Sequence, residues 1–470
     1  MKRHLTIVIK LGTSSIVDER THEPLLSILS VIVETAIRLR NDGHKVVLVS
    51  SGAIGVGLRR MDVERRPKHL PQVQALAAIG QCRLMSLWDQ LFGHMRQPVA
   101  QVLLTRNDIA DRTQYLNAQN TFIELLNMGV IPIVNENDTL AVTEIKFGDN
   151  DTLSAITAGM VQADYLFLMT DVDCLYDKNP RLNPDARPID VVEDIAELAA
   201  DVSSAGSALG TGGMSTKIVA ARLATAAGVT TVITRSSKPG NISNIVRYTE
   251  AQKAAAATMT SSTQSVRSET EGQKKSSQAT GNEVTASAGS ATLEAPLHTR
   301  FLPDPQPIRD RYFWLLHGLA PHGSVFIDEG AYQALTDKAG LLPVGIVDVE
   351  GNFAQQEAVR IVVVKRLSST PKVAVTPEVL PQQQLKSSTP PPRGDHGPST
   401  PTYERSDPAP LEVGRAIVNY SATEIKRIRG LQSIEIMSVL GYADSEYVAL
   451  RENIAFFKPE RSRPTTPLLG

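Results

Sequence analysis

The residues best suited to chemistry in this chain are a glycine-rich octet, GTGGMSTK at 210–217, and a lysine, Lys10, that ends an apolar run. Glycine carries no Cβ, so backbone N–H groups in such an octet can approach a phosphate closely. The octet is not the P-loop order G-x-x-x-x-G-K-[ST], because Thr216 precedes Lys217. A helical pattern begins near Ser215. It would place Thr211, Gly212, Gly213, Met214, Ser215 and Thr216 at a helix N-terminus, the positive end of the dipole. Lys217 in that first turn opposes the dipole, so a bound anion is the better account of it. Lys10 closes a buried strand, where an unpaired charge is costly. Its plain alternative is a side chain that snorkels to water.

Four more polar clusters follow apolar runs: Lys10-Leu11-Gly12-Thr13-Ser14, Ser50-Ser51-Gly52-Ala53-Ile54-Gly55, Asn135-Glu136-Asn137-Asp138 and Thr170-Asp171. Each alone is ordinary turn or N-cap composition. Together with the octet they mark one edge of a sheet, since ligands of open parallel sheets bind beyond the carboxyl ends of the strands. KFGDNDTLSA at 146–155 adds Asp149, Asn150 and Asp151 at the head of an apolar-periodic segment. One of these caps a helix, and a spare carboxylate would hold the lysines or bind an ammonium group. There is no H-E-x-x-H, paired C-x-x-C or G-x-S-x-G. Zinc hydrolysis and α/β-hydrolase chemistry therefore have no support, and no metal ligand is assigned.

These clusters need elements to hold them. β-branched runs predict strands at 5–9, 46–50, 99–104, 130–134, 165–169 and 230–234, and apolar three-and-four spacing predicts helices at 25–40, 72–92 and 215–227. The alternation predicts an α/β domain over 1–250, an open, mostly parallel sheet sandwiched by helices. Residues 251–295 lack aromatics and nearly all large aliphatics, and read as a disordered low-complexity insertion. A linker at 296–307 follows. A small β-rich domain is expected over 308–457, interrupted by a disordered Pro/Ser-rich insertion at 367–410, with a tail at 458–470.

Bulk properties narrow the class. The 470 residues are 42% hydrophobic with a formal net charge of -2, which points away from a nucleic-acid backbone or an anionic membrane as the main partner. Cys82 and Cys174 cannot form a disulfide framework and fit a reducing compartment. The run at 5–9 is too short for a signal peptide, and no apolar stretch approaches spanning length. A cytoplasmic protein is expected.

KLGTS, SSGAIGVG, LNAQNT, NENDT, EIKFGDNDTLSA, TDVDCLY, GTGGMSTK and SKPG, in this order and spacing, resemble the glutamate 5-kinases of the amino acid kinase family. IDEGA, LLPVGI, GNF and GRAIVNYSATEI resemble the PUA domain that follows the kinase in many members. The likeness covers 1–250 almost continuously and most of 296–457, skipping the two insertions. It implies an amino acid kinase-like fold followed by a small PUA-like barrel. It also implies ATP-dependent phosphorylation of the γ-carboxylate of L-glutamate to L-glutamyl 5-phosphate, the first step of proline biosynthesis, with proline as feedback inhibitor.

The same resemblance assigns roles. Lys10 meets the phosphates near the point of transfer, Lys217 stabilises the transition state and leaving phosphate, and Asp151 organises both lysines. Gly12, Thr170, Asp171 and 211–217 bind ATP, with Mg²⁺ held mainly through the ATP phosphates. Ser51, Gly52, Asp138, Asp149 and Asn150 bind glutamate. A homodimer or tetramer is implied, as is a glutamyl-phosphate reductase on a separate polypeptide. Two alternatives stand beside this reading. One is a different amino acid kinase, acting on N-acetylglutamate, aspartate or carbamate. The other is an RNA-binding PUA protein using Lys426, Arg427 and Arg429.

Overall fold

The computed structural model describes residues 4–140, 150–195, 198, 213–265, 295–308, 310–367, 403–404 and 409–457. It divides into two compact units, Met1–Phe313 and Trp314–Gly470.

In the first unit the apolar runs become strands β1 (Thr6–Leu11), β2 (Lys45–Ser50), β3 (Val99–Leu104), β4 (Ile131–Glu136) and β5 (Tyr165–Thr170). Short strands β6 (Leu175–Tyr176), β7 (Pro188–Ile189) and β8 (Val191–Val192) precede β9 (Thr230–Arg235) and β10 (Thr299–Phe301). The helices are α1 (Leu26–Asn41), α2 (Ala53–Arg60), α3 (Leu70–Gly93), α4 (Arg106–Ala110), α5 (Arg112–Asn127), α6 (Asn150–Met160), α7 (Met214–Ala226), α8 (Asn241–Ser265) and the short α9 (Asp310–Phe313).

The main sheet runs β3-β4-β2-β1-β5-β9-β10-β8. Every pairing from β3 to β9 is parallel, and β10 lies antiparallel to β9. Successive strands therefore leave β1 in opposite directions, β2 to one side and β5 to the other. Such a switch point opens a crevice at the carboxyl ends. The strands read as unbroken apolar runs because helices cover both faces, and β5 is buried along its whole length. On one face Ile7, Ile9 and Leu11 join Trp88, Phe92, Tyr165 and Phe167 in the core, under α1, α3 and α8. The two-residue period of a strand sends Val8 and Lys10 to the other face, where α6 packs on β1.

Two details go beyond the expected layout. Thr299–Phe301 lies in the segment read as a linker, yet it pairs with β9 and β8 and buries Phe301. Helix α8 continues to Ser265, into the segment read as low-complexity insertion. That stretch is alanine-rich, and alanine is the strongest helix former even without a large apolar face.

The second unit holds β11 (Gly323–Ile327), β12 (Ile346–Gly351), β13 (Ala358–Val363), β14 (Leu411–Ile417) and β15 (Ile454–Phe456), ordered β12-β11-β13-β14-β15. Its core is its own, centred on Val325, Ile361, Tyr420, Ile425 and Ile454. Tyr403, inside the range read as the second insertion, is buried and stacks on Phe326 with centroids 4.9 Å apart. Of the basic side chains at 426–429, Arg429 pairs with Asp348 and Arg427 donates to the Val439 carbonyl, so both are engaged within the unit.

Helices α2 and α3 meet with almost no side chain between them. A Cβ on Gly80 would collide with the Ala53 carbonyl and come within 2.6 Å of the Gly57 nitrogen, and one on Gly57 would strike the Leu76 carbonyl. All of these neighbours are backbone, so neither helix can yield by a rotamer change. Gly80→Ala should therefore cost about 1–3 kcal/mol or more in chemical denaturation. Gly93→Ala, in the last turn of the same helix with open space around it, should shift stability by no more than about 1 kcal/mol, upward if at all. Equal effects from the two substitutions would contradict this packing.

Candidate active site

Lys10 is 4% exposed and Asp151 is fully buried, so neither charge is solvated by bulk water. Lys10 Nζ lies 2.6 Å from Asp151 Oδ1. Lys217, from the first turn of α7, brings its Nζ to 3.3 Å from Asp151 Oδ2. The Thr216 hydroxyl donates to the same Oδ2 at 2.8 Å and accepts from the Gly213 N–H at 3.0 Å. The order Thr-Lys that departs from a P-loop is thereby explained. Both side chains turn to one carboxylate on α6, and Thr216 ties the loop residue Gly213 to it.

Burial pushes the Asp151 carboxyl up. The ammonium groups of Lys10 and Lys217, with hydrogen bonds from Lys10 and Thr216, more than reverse this and hold it at about 2. The two ammonium groups are thus gathered in a place shielded from water. Such a site favours an anion. The N-terminal N–H groups of α7 have no partner within the helix and add to that preference. A Cβ on Gly12 would stand 3.7 Å from Lys10 Nζ, so glycine leaves the space beside the ammonium open.

A second cluster begins one residue earlier. Asn150 Nδ2 donates to Ser51 Oγ at 2.8 Å and to Asn135 Oδ1 at 2.9 Å. Ser51 stands where β2 hands over to α2, and Gly52 makes that turn with φ +99°, a left-handed conformation suited to glycine. Asn135, 2% exposed on β4, donates in turn to Gln81 Oε1 of α3 at 2.7 Å. Asp138 is half-buried on the turn after β4. At the end of β5, Thr170 is buried and donates to Asp171 Oδ1 at 3.0 Å, while Asp171 is exposed and pairs with Arg181.

Of the residues expected from sequence, Lys10, Asp151, Thr216 and Lys217 thus form one cluster, and Ser51 and Asn150 a second, adjoining it through α6. Gly12, Gly52, Asp138, Thr170, Asp171, Gly213, Met214 and Ser215 lie at the same strand-end edge or on the α7 N-terminus. Asp149, Thr211 and Gly212 lie outside the described residues. Sequence reasoning missed Gln81, which looks like any polar position on an amphipathic helix, and Arg181. Asn135 stood within a quoted cluster without a role. Among the described residues no group of His, Cys, Asp and Glu is placed to hold a metal ion. The Asp151 carboxylate is engaged by both lysines.

Comparison with known proteins points to the same family. The model of the amino acid kinase family matches residues 5–235, and that of the PUA domain matches 323–367. A probable glutamate 5-kinase of Schizosaccharomyces pombe is 51% identical over 450 residues, covering 95% of this chain and 92% of that protein. An uncharacterised protein of Saccharomyces cerevisiae is 44% identical over 463 residues, covering 97% of this chain and 99% of its own. A glutamate 5-kinase of Cyanothece sp. is 42% identical over 451 residues, covering 96% of this chain and 98% of that protein.

Asp151→Asn would take from two buried ammonium groups the carboxylate they share, and should destabilise the first unit by about 3–5 kcal/mol in urea unfolding. The pH dependence has a definite sign. A carboxyl held below its ordinary value contributes stability that is complete above about pH 4 and is lost as pH falls toward 2. The wild type should lose about 2 kcal/mol across that window that Asp151→Asn does not. Parallel stability curves for the two proteins would remove Asp151 as the anchor.

Proposed function

The chain belongs to the glutamate 5-kinase branch of the amino acid kinase family, and from that premise we infer that it phosphorylates the side-chain carboxylate of L-glutamate with ATP, the first step of proline biosynthesis. The observation that carries the inference is the buried Asp151 carboxylate holding both Lys10, on β1, and Lys217, in the first turn of α7.

The chemistry asks little of a base. The nucleophile is a carboxylate, already ionised at neutral pH. Its oxygen forms a bond to the γ-phosphorus as the bond to the β-bridging oxygen breaks, and ADP departs with that electron pair. The obstacle is repulsion between two anions and the charge spread over the moving phosphoryl group. Lys10, from the strand side, and Lys217, from the α7 side, offset that charge. Asp151 keeps the two ammonium groups from separating, and bound Mg²⁺ supplies further charge neutralisation on the phosphates. Gly12, Thr170, Asp171 and 211–216 bind the nucleotide in this reading. Ser51, Gly52, Asp138, Asp149 and Asn150 bind glutamate.

Several finer points belong to the same proposal. Proline competes with glutamate, the chain works as a homodimer or tetramer, and a separate reductase consumes the acyl phosphate. The second unit tunes the kinase or its assembly, a role supported by the engagement of Arg427 and Arg429 within it rather than on a free basic face. The two cysteines stand as free thiols, one exposed and one buried, in keeping with a reducing cytoplasm. No helix of the described residues is long and apolar enough to cross a membrane.

An ATP-dependent hydroxamate assay should give product with L-glutamate and none with N-acetylglutamate, aspartate or carbamate, and added proline should raise the glutamate concentration needed for half-saturation. Lys217→Ala and Lys10→Ala should each lower kcat by about 10²–10³-fold, the effect of removing one positioned electrostatic group. Their folds should survive by circular dichroism. Turnover near wild type in either variant would defeat the assignment of these lysines.

A further inference from the structure

Four side chains connect helix α3 to the turn after β2: Gln81, Asn135, Asn150 and Ser51. The geometry points to Gln81 as a positioning residue that sets the hydrogen-bonding polarity of the glutamate site, an inference that rests on the kinase reading above.

The polarity is held from both sides of the Asn135 amide, by a backbone group at its oxygen and by Gln81 at its NH₂. The Glu136 N–H donates to Asn135 Oδ1 at 2.9 Å, and a backbone N–H can only donate. Asn135 must therefore keep its oxygen on that side, which turns its NH₂ toward Gln81 Oε1, 2.7 Å away. Asn135 is 2% exposed, so without Gln81 that NH₂ would be a buried donor with its partner removed. Asn135 Oδ1 also accepts from Asn150 Nδ2 at 2.9 Å. The other proton of Asn150 Nδ2 goes to Ser51 Oγ at 2.8 Å.

Two consequences follow from valence alone. Both N–H protons of Asn150 are committed, so the only group it can offer a ligand is its carbonyl oxygen, an acceptor suited to an ammonium group. Ser51 Oγ accepts from Asn150, so its own proton is left to donate, as a carboxylate requires. One acceptor and one donor side by side match the ammonium and carboxylate of an amino acid. A flipped Asn135 or Asn150 would present the reverse pair. Gln81 holds the chain in the productive sense from outside the substrate's reach.

The test is steady-state kinetics and thermal denaturation of the full chain with Gln81→Met, which keeps length but loses the acceptor, and Gln81→Glu, which keeps an acceptor. Gln81→Met should raise KM for L-glutamate about tenfold, the loss expected for one buried hydrogen bond, with KM for ATP and kcat within about twofold of wild type. Gln81→Glu should restore most of the affinity. An unchanged KM for glutamate in Gln81→Met, or a parallel rise in both KM values with a lower Tm, overturns the assignment.

A wild-type chain that forms no hydroxamate would instead refute the kinase reading. The rise in Tm on adding L-glutamate then decides this inference separately. A smaller rise in Gln81→Met than in wild type supports it, and equal rises, including none in either, overturn it.

Discussion

Two ammonium groups share the carboxylate of Asp151, one from strand β1 and one from helix α7, in a place where water cannot solvate any of the three charges. Neither lysine could stay there alone, because an uncompensated buried cation is costly. Among the described residues, the Asp151 carboxylate pairs with both cations. In the proposed reading, phosphate binding and transition-state stabilisation draw on the same two ammonium groups.

Helix α6 brings two side-chain clusters together on one short segment. Neighbouring residues on a helix diverge by about 100° around its axis, so Asn150 turns to Ser51 and Asn135 while Asp151 turns to the lysines. In the proposed reading, the carboxylate to be phosphorylated and the phosphate to be transferred are thereby brought to adjacent positions on one element. The supports lie farther back. The contact of α2 with α3 through Gly57 and Gly80 fixes where the Ser51 turn stands, and Trp88 of α3 donates to Ser50 Oγ at 3.1 Å. These contacts keep the site geometry within the tolerances that proximity effects require.

The layered fold was legible because its signals are local. Unbroken apolar runs such as 165–169, short and alternating with helical patterns, read as strands buried on both faces, and the three-and-four spacing of 72–92 gave α3 almost to its ends. Local composition also misled where packing decides. Thr299–Phe301 is too short to announce itself as a strand, and the alanine run of α8 has propensity without the large aliphatics that mark a core helix. Tyr403, an isolated aromatic in a proline-rich surround, is buried only because Phe326 is there to receive it.

For the site, the sequence by itself determined which residues carry charge, where glycine opens the backbone, and which of these follow the carboxyl end of a strand. It supplied Lys10, Asp151 and Lys217, and their resemblance to a family supplied the reaction. Only the tertiary structure decided that one carboxylate holds both lysines, since that contact joins positions 10, 151 and 217, which no periodicity connects. The same holds for Gln81 and Asn135. A hydrogen bond spanning 54 residues depends on where two elements lie in space, and side-chain polarity in a buried amide chain depends on a backbone N–H whose direction is set by the fold.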